Sequence, residues 1–446
     1  MRLTHYLTRS SFARLARETR RNYANDCCLF FNFLWQRGKN WCDAAPDDLL
    51  DFEDWRRWSP RNPERIGGSK WNRELAALTR LYKWAVRRRH MAASPVTERE
   101  VMGRRGEVVR VPAARATDVR SSNVKWLTPR AYRLWRDVGL RGYGADGRRD
   151  TSWRGRNDDR NAAYSDLLFS SGVRRSEGGS LLTIEIPEFD GSSRRYVDAR
   201  LAREVTKSKR ERTFYIEAES VRAVDAYVRT TRRTVIRRAQ TKGRYIDRDG
   251  RWLVVKRSGW RQSTLHICDE NGQVIERTLT SLGIEERQRL FVEGENGPEP
   301  LWLWLAEDGR PFLPHSWEAV YRAASERCTR VLDGRVAQPP YFTPHMARHS
   351  FALKMLVALQ YAMDRRFGLT PEERRDFRLL YGDVWRLVKV LLDHQSEETT
   401  RQIYLAPVSD LQVRSLLLEE TDSDTTELLS RIAAVSERVL DSEAAS

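Results

Sequence analysis

Apolar residues in the first part of the chain recur at helical spacing. Tyr23, Cys27, Phe30 and Leu34 fall at i, i+4, i+7 and i+11, which makes one stripe along a helix that ends near Gly38. Pro46 opens a second, short helix that runs through Leu50 to Trp58. A third carries Trp71, Leu75, Leu78, Tyr82 and Ala85 on one face and sets Arg73, Arg80, Arg87, Arg88 and Arg89 mostly elsewhere. These stripes predict a small helical bundle over residues 1–100. The pattern then breaks around Gly103-Arg104-Arg105-Gly106, which predicts a basic linker over 101–125.

A second domain is expected over 126–418, opening at Thr128 as a helix N-cap with Pro129 in the first turn. Residues 141–160, rich in Gly, Asp and Arg, read as a loop between two helices. Residues 182–186 and 195–197 read as strands, 206–216 as a hairpin turn running into a third strand, and 217–235 as a helix. From about 237 to 300 alternating stretches (252–255, 264–267) and the turn signals Asp249-Gly250 and Asn271-Gly272 predict a β-rich insert. Helical spacing returns over 316–328, at Met355, Leu356, Leu359 and Met363, and at Val384, Leu387, Val388 and Leu391. The fold class is therefore mainly α with a small β-sheet, α+β in type. In the tail, 419–446, Leu428, Ile432, Val435 and Val439 form an apolar stripe that a lone helix must bury, on its own domain or on a neighbouring protomer; exchange is the favoured expectation.

Charge narrows the partner. The chain of 446 residues carries a formal +17 and a pI near 9.9, which points to a polyanion. Residues 1–120 hold 25 Lys+Arg against 14 Asp+Glu, or +11, while 419–446 hold 2 against 8, or −6, so the tail is not expected on DNA. Five cysteines without a C-x-x-C pair predict a reducing, cytoplasmic setting, and no apolar run is long enough for a bilayer. His266 and Cys268 alternate on one stretch without a second pair, so no metal site is expected.

The candidate chemistry lies late in the chain. Thr343-Pro344-His345-Met346-Ala347-Arg348-His349-Ser350-Phe351-Ala352 opens a stretch that closes with His394 and Tyr404. An arginine presents a planar fork of donors to phosphate oxygens, a histidine donates or accepts, and a tyrosine hydroxyl can attack phosphorus and stay attached. These are the parts of strand cleavage without a metal.

The ordered set H-x-x-R-H-S-F-A, L-x-H and T-T-x-x-I-Y resembles the carboxy-terminal half of the tyrosine recombinases, the phage integrase family. Residues 167–177, ending Gly172-Val173-Arg174-Arg175-Ser176-Glu177, resemble that family's T-G-L-R-x-S-E box. The resemblance implies a helical, SAM-like core-binding domain at the N-terminus, with Arg73, Arg80, Arg87 and Arg88 on DNA, and a catalytic domain after it. It implies Tyr404 as nucleophile, Arg174, Arg348, His345 and His394 around the scissile phosphate, and Glu177 in support. Lys207, in a turn similar to G-K-G-x-K-E-R, becomes the acid for the leaving 5′ oxygen, with Lys209 the alternative and otherwise a DNA contact. Arg175 and His349 are rivals of Arg174 and His345. His394 and Tyr404 stand ten positions apart, one more than in many members, which leaves open whether the tyrosine serves its own site or a neighbour's. The implied partners are double-stranded DNA with a recombination site, further copies in a four-subunit synapse, and a directionality or accessory factor. No cofactor is implied. Two alternatives stand beside recombination: a DNA-binding relative without catalysis, and the same chemistry used for relaxation or telomere resolution.

Overall fold

The computed structural model describes residues 2–102, 106–119, 125–188, 195–246, 250–269, 271–361, 384–393, 429–430, 433 and 438–441. The chain divides into two compact units, Met1–Asn123 and Val124–Ser446.

The first unit is built on α1 (Arg2–Thr8), α2 (Ser10–Ala13), α3 (Arg17–Trp35), α4 (Pro46–Arg57) and α5 (Gly68–Arg87). Its core is aromatic: Phe30, Phe33, Phe52, Trp71 and Tyr82 are all buried together. Trp71, Leu75, Leu78, Tyr82 and Ala85 form the inner face of α5, as their spacing predicts. A bidentate ion pair, Arg56 to Glu74 at 3.0 and 2.8 Å, ties α4 to α5 inside the bundle. Two features depart from expectation. The stretch read as the end of the bundle and a linker contains an antiparallel hairpin, β1 (Glu98–Met102) with β2 (Val108–Pro112). Just after it the chain is fastened to the bundle, because Trp71 Nε1 donates to the Ala114 carbonyl at 2.7 Å and Ala116 is buried in the same core. Of the basic residues there, Arg99 and Arg110 lie within these strands.

The second unit begins with β3 (Trp126–Leu127) and α6 (Pro129–Trp135). Thr128 caps α6, accepting from the Ala131 amide at 3.2 Å. Next come α7 (Asp158–Ser171), α8 (Arg175–Gly179), the antiparallel hairpin β4 (Tyr196–Leu201) and β5 (Arg212–Glu217), α9 (Ala218–Tyr227) and α10 (Arg233–Thr241). Residues 182–186, expected as a strand, hold only a bridge from Leu182 to Trp302 and a 3-10 turn, Thr183–Glu185. The helix expected over 217–235 continues to Thr241 through a π-turn at Val228–Arg232.

The β-rich insert is a five-stranded sheet: β6 (Trp252–Ser258), β7 (Thr264–Cys268), β8 (Val274–Thr278), β9 (Leu290–Gly294) and β10 (Gly297–Pro300), with α11 (Ile284–Arg287) between β8 and β9. Its order is β10-β9-β6-β7-β8, with β6 and β9 parallel. Arg287, fully buried, pairs with Glu185 at 2.6 Å and donates to the carbonyls of Ser180 and Leu279, which fastens the insert to the segment after α8.

Three helices complete the described domain: α12 (Trp317–Leu332), α13 (Pro344–Tyr361) and α14 (Val384–Leu392). Tyr164 of α7 stacks on Trp317 at 3.6 Å, and Tyr132 on Phe169 at 3.9 Å. Trp302 and Trp304 are buried in the same core. Of the tail stripe, Leu428, Ile432 and Val435 lie outside the described residues. Val439, expected on a helix, instead forms β11 (Val439–Leu440), parallel to β3 of the same chain, and Asp441 accepts from the Thr128 hydroxyl at 2.6 Å. Leu429 and Val439 share a core with Trp126 of the same chain.

Candidate active site

Arg174 stands where α7 has ended and α8 begins. Gly172 closes α7 in the left-handed conformation, φ +65°, and a Cβ there would lie 2.2 Å from the Phe351 ring. The chain thus turns sharply and offers Arg174 as the N-cap of α8. The Glu177 carboxylate accepts from the Arg174 backbone N–H at 2.9 Å and from its Nη1 at 2.7 Å. Gly178 and Gly179, which make α8 short, are explained by close packing: Trp304 Nε1 donates to the Gly178 carbonyl at 2.8 Å, and a Cβ on Gly179 would press on Pro314.

Glu177 is fully buried between two guanidiniums, because Arg212 Nη2 also donates to it at 2.8 Å. Burial by itself would raise this carboxyl, but Arg212 and Arg174, then the Arg174 amide and Arg348, hold it below the ordinary carboxylate range. Arg212 was not singled out from the sequence, although it ends the Lys-Ser-Lys-Arg-Glu-Arg run. Its Nη1 donates to the Leu391 carbonyl at 3.2 Å, so it also anchors α14.

Helix α13 supplies the next pieces. Thr343 Oγ1 accepts from the Met346 amide at 3.2 Å, and Pro344 occupies the first turn. His345 and Arg348, at i and i+3, share a face. Arg348 is buried, with Nη1 donating to the Gly172 carbonyl at 2.7 Å and Nη2 to the Leu392 carbonyl. Arg174 Nη2 donates to the Asp393 carbonyl at 3.2 Å, and its Nη1 lies 3.3 Å from the Asp393 carboxylate. Both guanidiniums are thus held at the end of α14. His394 is the next residue in sequence; it and Tyr404 lie outside the described residues.

Lys207 completes the cluster from the turn between β4 and β5. A cavity of about 520 Å³ is walled by Arg174, Lys207, His345 and Arg348, together with Arg175, Arg322 and Tyr341. The rivals are placed differently. Lys209 Nζ donates to the carbonyl and carboxylate of Glu204, both at 2.9 Å, and Arg175 pairs with Glu318 at the rim. His349 is buried, with its Nε2 2.9 Å from Nε2 of His345, so one ring donates to the other.

Desolvation, followed by the Arg348, Arg174 and Lys207 cations, lowers the His345 pKa from 6.5. A neutral imidazole facing a cationic cavity can accept a proton at neutral pH. Followed by NMR in the full chain, His345 is expected to titrate below pH 6.5, and Arg174→Ala to raise its pKa. A wild-type value above the ordinary one would remove it as a base.

The expected DNA contacts of the first unit divide. Arg73 is paired with Asp26 at 2.8 Å and Arg80 donates to the Ser11 carbonyl at 2.8 Å, so both are committed within the bundle; Arg87 and Arg88 are exposed. Among the described residues no helix is long and apolar enough to cross a membrane.

Three solved structures are similar in arrangement. One is a XerA recombinase (14% identity, 94% of this chain and 98% of that one, TM-score 0.33). Another is a XerH site-specific recombinase bound to a palindromic difH substrate after cleavage (11%, 90% and 80%, 0.46). The third is the Tn1549 transposon integrase in complex with circular intermediate DNA (12%, 88% and 90%, 0.43). No curated protein matches the sequence. Residues 4–89 match the phage integrase N-terminal SAM-like domain.

Proposed function

We propose that the protein is a site-specific DNA recombinase that breaks and rejoins DNA strands through a 3′-phosphotyrosyl intermediate. The observation that carries this is the convergence of Arg174, Lys207, His345 and Arg348, from a helix cap, a hairpin turn and one helix, on a single cavity. Two guanidiniums and a lysine suit a group whose negative charge concentrates as phosphorus takes a fifth oxygen. An entering phosphate takes over donors that Arg174 now directs at Asp393.

In the first step the Tyr404 oxygen bonds to phosphorus and the bond to the 5′ oxygen breaks. The phenol proton passes to neutral His345, and Lys207 protonates the leaving 5′ oxygen. His394 completes the cradle. The phosphotyrosyl bond keeps the energy of the phosphodiester, so a second 5′ hydroxyl reverses the attack without ATP. Four copies on paired sites, exposed Arg87 and Arg88 on the backbone, and an element-encoded integrase role complete the reading.

The acid assignment has a chemical test. On a duplex whose scissile 5′ oxygen is replaced by sulfur, the leaving group needs no proton. Lys207→Ala is expected to lose about 10²–10⁴-fold in cleavage of ordinary DNA and to recover on the sulfur substrate, while Lys209→Ala cleaves both. Equal loss on both substrates would assign Lys207 to binding.

A further inference from the structure

The insert does more than hang beside the catalytic domain: it leans on the hairpin that carries Lys207. Arg203, just after β4, donates its backbone N–H to Thr280 Oγ1 at 2.9 Å. The turn joining β6 to β7 meets the outer face of β4, where the Arg200 guanidinium lies 4.3 Å over the Trp260 ring and Arg261 lies 3.6 Å from Asp198. Arg261 also sits 4.8 Å from the same indole, so Trp260 has an arginine at each of two contacts and still exposes 62% of its surface.

This turn is strained. Gly259 has φ +76°, and Arg261 and Gln262 follow at +50° and +54°. Side chains rarely occupy the left-handed region, and never cheaply in succession. Such outliers cluster where a side chain has to be aimed at a ligand. The aimed groups here are an indole and a guanidinium, facing solvent.

Charge selects the ligand. Residues 252–268 contain Lys256, Arg257 and Arg261 and no carboxylate, although the insert as a whole is not basic. Val255 and Lys256 are both exposed at a bulge in β6. The carboxylates at the border, Asp198 and Glu211, are matched by Arg261 and Arg200. An exposed aromatic with cations around it fits a polyanion that carries apolar sugar surface between its charges, which is nucleic acid rather than an acidic protein surface. We propose that the Trp260–Arg261 turn is a second DNA-contact element, bound to the duplex beside the scissile phosphate and mechanically joined to the Lys207 hairpin. This rests on the recombinase reading, since it takes the DNA of that site to continue across the hairpin.

The test uses the full chain and a fluorescent duplex of arbitrary sequence a few helical turns long, titrated at several salt concentrations. Arg261→Ala is expected to weaken binding several-fold and to reduce the salt slope by about one, as one lost phosphate contact does. Trp260→Ala weakens binding with little change of slope, and Arg261→Lys recovers most of the affinity. Asp198→Ala is the decisive control: it frees Arg261 and removes a negative charge, so binding tightens. Wild-type affinity and slope in both alanine variants would overturn the proposal, as would weakening by Asp198→Ala, which would make the ion pair merely structural. Either result leaves the recombinase reading standing. Failure of the wild-type chain to bind any duplex would end both.

Discussion

Arg348→Ala is expected to slow strand cleavage by about 10²–10³-fold, the usual cost of removing one preorganised donor from a developing oxyanion. The loss has a structural part that must be separated from the chemical one. Arg348 is 3% exposed and its two terminal nitrogens serve the carbonyls of Gly172 and Leu392. Truncation leaves those acceptors without this donor, at about 1–3 kcal/mol for each buried group left unsatisfied. Arg348→Lys keeps the charge and loses the planar fork. Cleavage that falls in both variants, with melting temperature falling mainly in the alanine variant, identifies the guanidinium as a transition-state donor. Full cleavage by Arg348→Lys would reduce its role to bulk charge.

Glu177→Gln is expected to cost about 3–5 kcal/mol in stability, because a neutral isostere leaves the largely enclosed Arg212 without its carboxylate and Arg174 with Asp393 alone. Arg174 and Arg212 both point at this carboxylate, and no part of it reaches solvent. Its depressed pKa fixes the sign of the pH dependence. The stabilisation is fully present above the ordinary carboxyl value of about 4.3 and is lost as pH falls through the lower folded value. Denaturant unfolding of the two proteins should therefore show a constant gap near neutrality that narrows only in acid. A gap that stays unchanged into strong acid would mean the carboxylate is not the group that titrates.

Local signals were the legible ones. The cap at Thr128, the face of α5 and the Arg174–Glu177 spacing each involve residues within a few turns of one another, where periodicity and side-chain reach determine the outcome. What the sequence hid was long-range. Arg212 joins Glu177 from 35 positions away, and nothing in its own neighbourhood distinguishes it from Arg210, which is exposed. Composition also misled about charge. Arg232, Arg287 and Arg327 are buried, and each donates to several backbone carbonyls, so part of the basic excess is internal scaffolding. Arg73 and Arg80 likewise look available on a helical wheel until Asp26 and the Ser11 carbonyl are placed beside them.

The same contrast explains the strands. Alternation over 182–186 suits a strand, but the partner that Leu182 finds, Trp302, permits only a bridge before the chain turns. Val439 fits a helical stripe, yet pairing with Trp126 is the option that buries it. In both places tertiary contacts override a weak local preference. The insert's turn residues were recognisable; its attachment to the Lys207 hairpin was not.

Covalent trapping tests the central claim most directly. A duplex selected from random sequence by binding to the full chain is nicked so that the cleaved end diffuses away, and the product is digested and sequenced by mass. The expected result is a 3′-phosphotyrosyl peptide containing Tyr404, absent in Tyr404→Phe. An adduct that persists in Tyr404→Phe, or one attached to another residue, would contradict the assignment of this hydroxyl as the nucleophile.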